Sequence, residues 1–416
     1  YIGSNYLFDG TISNTYGFDV RGYGVFNTSG SGKFLNTNAD LNYIIEGKSI
    51  ISNVTSDPST AIVNVSGGTG RCSISFETVE LTTTYSDNHT YFSLSGNNVV
   101  NINSLIISGA GSEYLTCISV AGTNKISINY VVFPNISTFF STIGANTTYI
   151  DINYLNDAIS VETSVLCNIT YGNIYMNINY IRFNVNNTDI DYFNILPDDV
   201  VGNNVNVYLN IGTLGSGVNV NVNEIFNINT SATSETLNTN FYLNIDKISL
   251  GSTVLKNIIY SDSISNNTIK MLININNINM SIGTLTGTCT LFDLSGYNVL
   301  NINNLKLVVL SANLICISVK DTNKIFINYV EFPDINIFFN TADINMTYLH
   351  INEINDSGAR SLCNITYGNI HMNINYIHFN LVRSDGYFVI APADVDGNNV
   401  SVYLSIDSID KPILPV

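Results

Sequence analysis

Charged side chains are scarce in this sequence. Only 11% of its 416 residues are Asp, Glu, Lys or Arg, against about 25% in an average globular chain. Because 45% of the residues are hydrophobic, a disordered chain is excluded, since disorder combines low hydrophobicity with dense charge. Lysine and arginine number 15 against 32 aspartates and glutamates, which gives a net charge of −17. So few cations offer no basic face to nucleic acid, and we expect no nucleic-acid partner.

Tryptophan is absent, and strong helix formers are rare. Asn, Ile, Val, Thr and Tyr are abundant instead, and these residues favour strands and turns. No run of 18 apolar residues occurs, which predicts that no segment spans a membrane as a helix. Residue 1 is Tyr and not Met, so we expect a processed chain or a fragment, and a cleaved signal peptide would explain this. What remains is a large all-β protein.

Two long segments of the chain repeat each other. Residues 167–183 read CNITYGNIYMNINYIRF and residues 363–379 read CNITYGNIHMNINYIHF, with two differences. The segment GNNVNVYLNI at 202–211 likewise matches GNNVSVYLSI at 397–406. The offset between the copies is 200 residues near their beginning, where LSGNNVVNINSL matches LSGYNVLNINNL, and 195 near their end. Such self-similarity is typical of a repeat architecture, here duplicated in tandem.

A shorter repeat of 23 to 26 residues runs through both copies. Its core is an apolar residue, a turn-tolerant residue, any residue and a second apolar residue, as in 128–131 (INYV) and 327–330 (INYV). Apolar residues alternate on both sides of the core, which indicates a strand, a break and another strand. The second core position can be placed 14 times, and 13 of these residues are Asn, Asp or Gly. The exception is Glu77, and the others are Asn103, Asn129, Asn153, Asn179, Gly212, Asn223, Asp246, Asn276, Asn303, Asn328, Asn352, Asn375 and Asp407.

These three residue types enter the left-handed backbone region at the lowest cost, so we predict a sharp left-handed corner at the second core position. A corner in every repeat winds the chain into stacked coils about 4.8 Å apart. Asparagine side chains at the same corner can then hydrogen-bond along the stack. We predict such an asparagine ladder at Asn103, Asn129, Asn153, Asn179, Asn276, Asn303, Asn328, Asn352 and Asn375.

With these corners, residues from about 60 to 409 resemble the pectin-lyase-like right-handed parallel β-helix. The resemblance implies an all-β, right-handed parallel β-helix solenoid with coils of about 24 residues and an asparagine ladder, tandemly duplicated, and it implies no activity. The pattern I-x-x-I-x-F is also similar to the leucine-rich repeat. That repeat requires an asparagine eight residues after the first core position, which is present as Asn186 but replaced by Leu310 and Val382 in other repeats. Helix formers are also missing between the cores, so the leucine-rich repeat is disfavoured.

The repeat divides the chain into five parts. We predict an N-terminal cap or docking segment at 1–60, a first β-helix copy at 61–214, connecting coils at 215–274, a second copy at 275–409 and a tail at 410–416. Residues 1–40 are rich in Gly, Tyr and Phe and do not match the repeat, which favours either a cap on the first coil or an arm that docks onto a neighbouring subunit. Near 211–222 two core positions lie only 11 residues apart, so one of them cannot begin a full coil.

Four of the six cysteines precede a core by 11 residues and are therefore predicted to share one column. These are Cys117, Cys167, Cys316 and Cys363. Members of each copy lie two coils apart, about 9–10 Å, which is beyond disulfide reach. We predict buried, unpaired thiols at these positions. The positions of Cys72 and Cys289 leave their state open, so cysteine usage gives little support for an oxidising compartment.

Polysaccharide lyases and hydrolases on this fold use paired carboxylates, or a carboxylate cluster with a metal and a basic residue. The β-helix polygalacturonases carry N-T-D, D-D, G-H-G and R-x-K motifs. Here Asn187-Thr188-Asp189 is similar to the first motif and Asp198-Asp199 to the second, but neither G-H-G nor R-x-K occurs. The four histidines lie in strand contexts and supply no general base. We therefore predict no catalytic residue and no enzyme.

The segment from Asp394 to Asn398 (DVDGN) is similar to half of a calcium loop, with alternate oxygen ligands and a glycine. It is read either as a solvated turn or as a weak Ca²⁺ site of Asp394, Asp396 and Asn398, and no other cofactor is expected.

About 15 Asn-X-Ser/Thr sequons occur where chance gives about 11, so they permit glycosylation without arguing for it. The sequons considered for glycosylation are Asn27, Asn88, Asn146, Asn168, Asn345 and Asn364.

Tyrosine recurs at the third core position, at Tyr130, Tyr154, Tyr180, Tyr329 and Tyr376. Such a column either stacks along the solenoid or binds sugars or another subunit.

We expect a non-enzymatic structural protein of an extracellular filament, fibre, cell surface or virion surface. It would self-assemble through its β-helix rod, with other copies of itself as its main partner. The alternatives are a carbohydrate-active tailspike or lyase-like enzyme that uses Asp189, Asp198 and Asp199, and a glycan-binding adhesin that uses the tyrosine column.

Overall fold

Within the residues that it describes, the computed structural model of this protein contains strands and the segments between them, and no helix. None of these residues therefore belongs to a helix of the length and hydrophobicity that a membrane crossing requires. The fold is an all-β parallel β-solenoid with coils of roughly 26 residues, which confirms the predicted fold class. The described residues are 12–14, 18–21, 25–27, 35–38, 43–54, 63–66, 71–83, 88–108, 115–133, 136–157, 165–184, 186–216, 220–230, 237–263, 268–282, 288–309, 313–332, 335–356, 358–379, 386–396 and 398–410.

The chain forms two compact units, and the first comprises residues Tyr1–Asn210. Its strands are β1 (Ile12–Asn14), β2 (Phe18–Arg21), β3 (Val25–Asn27), β4 (Leu35–Asn38), β5 (Tyr43–Val54), β6 (Val63–Ser66), β7 (Arg71–Thr83), β8 (His89–Leu94), β9 (Asn97–Ser108), β10 (Leu115–Phe133), β11 (Thr138–Asp157), β12 (Val165–Ile169), β13 (Asn173–Phe183) and β14 (Asn186–Ile195). Strand β15 (Val205–Ser216) begins in this unit and ends in the next.

The second unit comprises residues Ile211–Val416. Its strands are β16 (Val220–Thr230), β17 (Asn238–Ser263), β18 (Thr268–Ile282), β19 (Cys289–Leu294), β20 (Tyr297–Val309), β21 (Leu314–Phe332), β22 (Ile337–Asp356), β23 (Ser361–Ile365), β24 (Asn369–Phe379), β25 (Phe388–Ile390) and β26 (Ser401–Asp410).

The strands form where apolar and polar residues alternate. In β11, Ile150, Ile152 and Leu155 are buried, whereas the intervening Asp151 and Asn153 are exposed. The alternation changes phase at Asn153, which keeps apolar side chains inward on both sides of a bend. Backbone pairing skips one residue at this bend, because the pair 128–152 is followed by the pair 130–154.

Stacking of equivalent residues builds the core of each unit. In the first unit Ile102, Ile128, Ile152 and Ile178 pair in succession and are at most 3% exposed. In the second unit the same position is occupied by Ile275, Ile302, Ile327, Ile351 and Ile374, all buried. Burying such a side chain contributes about 1.5–3 kcal/mol, and no coil buries its apolar side without a neighbouring coil.

Residues 12–54, which fall in the predicted cap or docking segment, contain strands of the solenoid type. The backbone at Ile12 pairs in parallel with Leu35, that at Phe18 with Tyr43, and that at Val25 with Ser49. The parallel winding therefore includes this segment, and the Gly-, Tyr- and Phe-rich composition did not reveal it. The side chains of residues 12–54 lie outside the described part of the structure.

The predicted irregularity near residue 211 lies where the first unit ends and the second begins. Asn223 does not join the asparagine ladder, because its neighbours Val222 and Glu224 pair with Leu255 and Asn257. The ladder position nearest to it is Asp246 in the next coil, whose carboxylate accepts a hydrogen bond from Asn276. The predicted connecting region 215–274 thus consists of coils of the second unit, and the predicted tail lies outside the described residues beyond Asp410.

Candidate functional site

The predicted asparagine ladder is present in both units. In the first unit the side-chain amide nitrogen of Asn129 donates to Asn103 Oδ1 at 3.0 Å, that of Asn153 to Asn129 at 2.9 Å and that of Asn179 to Asn153 at 3.0 Å. The second unit repeats this arrangement. Its donor–acceptor pairs are Asn276–Asp246, Asn303–Asn276, Asn328–Asn303, Asn352–Asn328 and Asn375–Asn352, at 2.8 to 3.2 Å.

The backbone conformation predicted for the ladder is wrong. Among the described residues, Asp321 is the one non-glycine residue with a positive φ, at 62°. The ladder asparagines therefore bend the chain with a negative φ, and their side-chain hydrogen bonds accompany the bend in place of a left-handed turn. The left-handed corners lie elsewhere in the coil, at Gly96, Gly122, Gly172, Gly202, Gly296, Asp321 and Gly368.

A second, inner amide column follows these left-handed corners, and the sequence did not predict it. Asn98 donates to the carboxamide oxygen of Asn124 at 2.8 Å, and both side chains are buried. Asn298 and Asn323 repeat this bond at 2.8 Å in the second unit. The available signal was a glycine or aspartate two residues before each asparagine. Because buried amides must find partners, this column fixes the corner from inside.

Two of the sequon asparagines lie at the corner itself, because Asn146 pairs with Gly122 and Asn345 pairs with Asp321. Asn146 Nδ2 donates to the carbonyls of Gly144 at 2.9 Å and Tyr171 at 3.0 Å, and the residue is buried. Asn345 makes the matching bonds in the second unit to Asp343 and Tyr367. A glycan on either amide nitrogen would replace one of its two hydrogens, so at least one of these bonds would be lost, and the glycan would have to pass through the packed corner.

The remaining predicted glycosylation positions differ in exposure. Asn88 is exposed, and Asn168 and Asn364 are half-buried. The amide nitrogen of Asn364 donates to Asn340 Oδ1 at 3.1 Å. The side chain of Asn27 lies outside the described part of the structure. Asn88 is therefore the position among these that leaves the most room for a glycan.

The segment predicted as half of a calcium loop is a turn pinned by Asn398. The Asn398 amide nitrogen donates to the carbonyls of Thr366 at 3.0 Å and Ala393 at 2.9 Å, while Asp394 and Asp396 are exposed. Asn203 holds the matching turn of the first copy by equivalent bonds. No group of three or more His, Cys, Asp or Glu able to hold a metal occurs among the described residues. Calcium binding here stays a prediction.

Of the three carboxylates named as catalytic candidates, the structure describes the side chains of two, and both are exposed. Asp198 and Asp199 are exposed on the turn after β14. A hydrogen bond to Asp198 is the largest cause of the raised pKa of the Tyr171 hydroxyl, so this carboxylate has a phenol as its partner. The side chain of Asp189 lies outside the described part of the structure.

The predicted tyrosine column stacks along the solenoid in the first unit. The ring centroids of Tyr130 and Tyr154 are 5.4 Å apart and those of Tyr154 and Tyr180 5.1 Å apart, with nearly parallel planes. In the second unit the residue between Tyr329 and Tyr376 is Glu353, so the stack is interrupted. The rings cover one another's faces and leave mainly their edges to a ligand.

Another pair of aromatic columns was not predicted. In the first unit Tyr149, Tyr175 and Tyr208 stack at 4.8 Å, and Lys125 precedes Tyr149 in the same column. In the second unit the corresponding column is Lys324, Tyr348, His371 and Tyr403, with ring separations of 4.9 and 4.6 Å. Each member is the paired neighbour of the next, although 23 to 33 positions separate them in the chain.

The second-unit column borders a depression of about 810 Å³, which we call the groove. A parallel column of Phe326, His350, Asn373 and Ser405 forms its other side. The first unit has Ser127, Asp151, Asn177 and Asn210 at the matching positions. The described residues that line the groove include one lysine and two histidines and no Asp or Glu, although the chain as a whole is acidic.

Asp157 is an isolated acid inside the first unit. It is fully buried, and neither carboxylate oxygen has a hydrogen-bond partner among the described residues. Burial raises the pKa of Asp157 to about 8. The matching Asp356 caps a turn, because its Oδ1 accepts from the backbone N–H of Gly358 at 2.8 Å and of Ala359 at 2.6 Å. One position thus has two different environments in the two copies.

The cysteines of the described part are buried and free, as predicted for four of them. Cys289 is the fifth, and the side chain of Cys72 lies outside the described part. Burial raises the pKa of Cys289 to about 12 and raises the other four pKa values further, so these thiols are poor nucleophiles. The predicted shared column is wrong by one residue. Cys167 pairs with Phe140, which pairs with Ile118 and not Cys117, because a register shift follows Val120.

Comparison of the chain with protein-family models, with curated proteins and with solved structures finds no match in any of the three.

Proposed function

We propose that this protein is a non-enzymatic structural protein of an extracellular filament, fibre or particle surface, and that it self-assembles through its solenoid. The observation that carries the proposal is that, in both copies, polar and aromatic side chains bind equivalent side chains of the neighbouring coil. Amides of the asparagine ladder, amides of the inner column and stacked rings bind their own counterparts one coil away. Such contacts stabilise a scaffold and leave few groups to converge on a substrate.

The duplication supports the same proposal. Both copies keep the ladder, the left-handed corners and the inner column at matching positions, so the duplication added coils of one design. We infer that the winding is right-handed and of the pectin-lyase-like kind, because the coil length and the asparagine corner are similar to those of that architecture. A low density of charge and many hydroxyls and amides favour a surface outside the cytoplasm.

Self-assembly and the absence of an enzymatic activity are tested together on the purified chain. We expect sedimentation velocity to show mass increasing with concentration, and electron microscopy to show elongated assemblies. A panel of polysaccharides incubated with the same protein should release no reducing ends. Release of reducing sugar that is lost in the Asp198→Asn and Asp199→Asn variants would favour the alternative of a carbohydrate-active enzyme, which those two exposed carboxylates represent.

A second candidate function, glycan binding, is favoured by the groove. Its aromatic side chains offer apolar contact to sugar rings. Asn373 and Ser405 offer hydrogen bonds to hydroxyls, and Lys324 offers a charge to acidic groups. The predicted tyrosine column at Tyr130 is less suited to this role because its rings cover one another.

The first unit supplies a matched variant for the groove. The triple change Phe326→Ser, His350→Asp and His371→Tyr gives the second unit the side chains that the first unit carries at the same positions, so we expect the fold to survive. Affinity for any oligosaccharide that binds the unchanged chain in an array or by calorimetry should fall at least about tenfold, or about 1.4 kcal/mol. Equal binding by the triple variant would remove the groove as the site.

A further inference from the structure

The last coil of the second unit exposes side chains that the preceding coil buries. Ile390, Leu404 and Ile409 are 52%, 42% and 52% exposed. The residues with which they pair in the preceding coils are Ile365, Met372 and Ile377, and all three are buried. The apolar interior of the solenoid is therefore open to solvent at this end. Contiguous apolar surface of this kind marks an interaction site in a soluble protein.

The duplication contains the covered form of the same coil. Counting back 195 residues, the equivalents of Ile390, Leu404 and Ile409 are Ile195, Leu209 and Leu214, which are 0%, 2% and 0% exposed. Eight of ten residues are identical between 202–211 and 397–406. The same coil design therefore occurs once buried and once open, and its apolar residues are suited to contact with a further coil.

The backbone of this coil is open as well. Among the described strands, β26 pairs with β24 alone, through nine residue pairs that are all parallel. The other side of β26 presents N–H and C=O groups in the row that a parallel strand would use, and such an edge is a template for another chain. The ring of Tyr403, 65% exposed, also ends its aromatic stack with one face uncovered.

We propose that this open end binds the first coil of a second copy of the chain, head to tail. The inference rests on the proposed self-assembly and assigns its interface. Strands β1, β2 and β3 of that first coil pair with β4 and β5 on one side among the described strands. Every defined strand pair is parallel, and head-to-tail stacking continues a parallel register, whereas end-to-end contact between two last coils reverses it. A heterologous contact of this kind produces filaments unless its rotation closes a ring.

Charge favours a head-to-tail contact over a two-fold contact between two last coils. The last coil carries Asp394, Asp396, Asp407 and Asp410, all exposed, and a two-fold contact would bring both sets together, where like charges oppose binding.

The test compares the full chain with Leu404→Lys/Ile409→Lys by sedimentation velocity over a range of concentrations. Both residues are exposed, so the variant should fold, which circular dichroism checks. The matched control is Val308→Lys/Ile344→Lys, which adds the same charge at exposed apolar residues of other coils. We expect open-ended association of the unchanged chain and of the control, and a shift of at least about tenfold toward higher concentration in Leu404→Lys/Ile409→Lys.

Each other result overturns a defined part of the inference. Association that is unchanged in Leu404→Lys/Ile409→Lys would move the interface elsewhere and leave the proposed function standing. Association that stops at a dimer would replace head-to-tail stacking by a two-fold contact. Loss of association on removal of residues 411–416 would assign the contact to the tail. A chain that stays monomeric at all concentrations would overturn both this inference and the proposed self-assembly.

Discussion

Replacing Gly172 by alanine should destabilise the first unit by about 3 kcal/mol or more. Gly172 has a φ of +83°, where a residue with a Cβ is strained by roughly 1–2 kcal/mol. An added Cβ would also collide with the backbone carbonyl oxygen of Asn146 and lie 2.7 Å from its carboxamide. That asparagine is held by hydrogen bonds to Gly144 and Tyr171, so it cannot move aside without losing them.

Gly202 provides the matched control within the same unit. Its φ is +77°, but an added Cβ has nothing within 4 Å. Gly202→Ala should therefore lose only the cost of the backbone conformation, about 1–2 kcal/mol. The measurement is the free energy of unfolding in urea for both variants, followed by tyrosine fluorescence, to which both units contribute. Equal losses in the two variants would show that the packing of the corner against Asn146 contributes nothing.

The sequence predicted the asparagine ladder because the ladder depends on periodicity alone. Asn129 and Asn153 stand 24 residues apart in equivalent patterns, and any parallel winding with that repeat brings them together. The left-handed conformation could not be predicted from the same residues. Asparagine is favoured both at left-handed corners and in hydrogen-bonded ladders, and the sequence does not say which of the two preferences is used.

The inner column and the groove depend on register, which the sequence leaves open. Asn124 turns inward because Gly122 reverses the backbone two residues earlier, and a one-residue change of phase would expose it. His371 differs from Tyr175 in otherwise matching segments, so its divergence was visible in the sequence. Its position between Tyr348 and Tyr403 follows from strand pairing over 23 and 32 residues. The bulge between Val319 and Asp321 shows how locally such pairing can shift.

The environment of Asp157 is another feature that the sequence did not predict. Asp157 and its counterpart Asp356 end nearly identical segments, LND at 155–157 and IND at 354–356. The difference lies in the next segment. In the second unit SGARS supplies two backbone N–H groups to the carboxylate, whereas the first unit has the longer AISVETS at 158–164, which lies outside the described residues. Identical residues in matching repeats thus acquire different electrostatic environments from their neighbours.

Asp157→Asn should make the first unit more stable than the unchanged chain at alkaline pH. In the folded chain the pKa of Asp157 is about 8, against 3.8 for the ordinary side chain. Because the folded state holds its proton more tightly, the stability from this group is fully present below about pH 4 and is lost as the pH rises to about 8. At about 1.4 kcal/mol for each pH unit, the total is on the order of 6 kcal/mol.

The comparison of the two chains isolates this one group. The difference in unfolding free energy between Asp157→Asn and the unchanged chain should grow from pH 4 to pH 8 and then level off, since other titrating groups cancel in the difference. Asp356→Asn is the matched control, because the Asp356 carboxylate accepts two backbone hydrogen bonds that stabilise its charge. We expect no gain from that change at alkaline pH. A flat difference for Asp157→Asn would mean that water or a neighbouring donor reaches the carboxylate in solution, and that the buried acid does not limit the stability of the first unit.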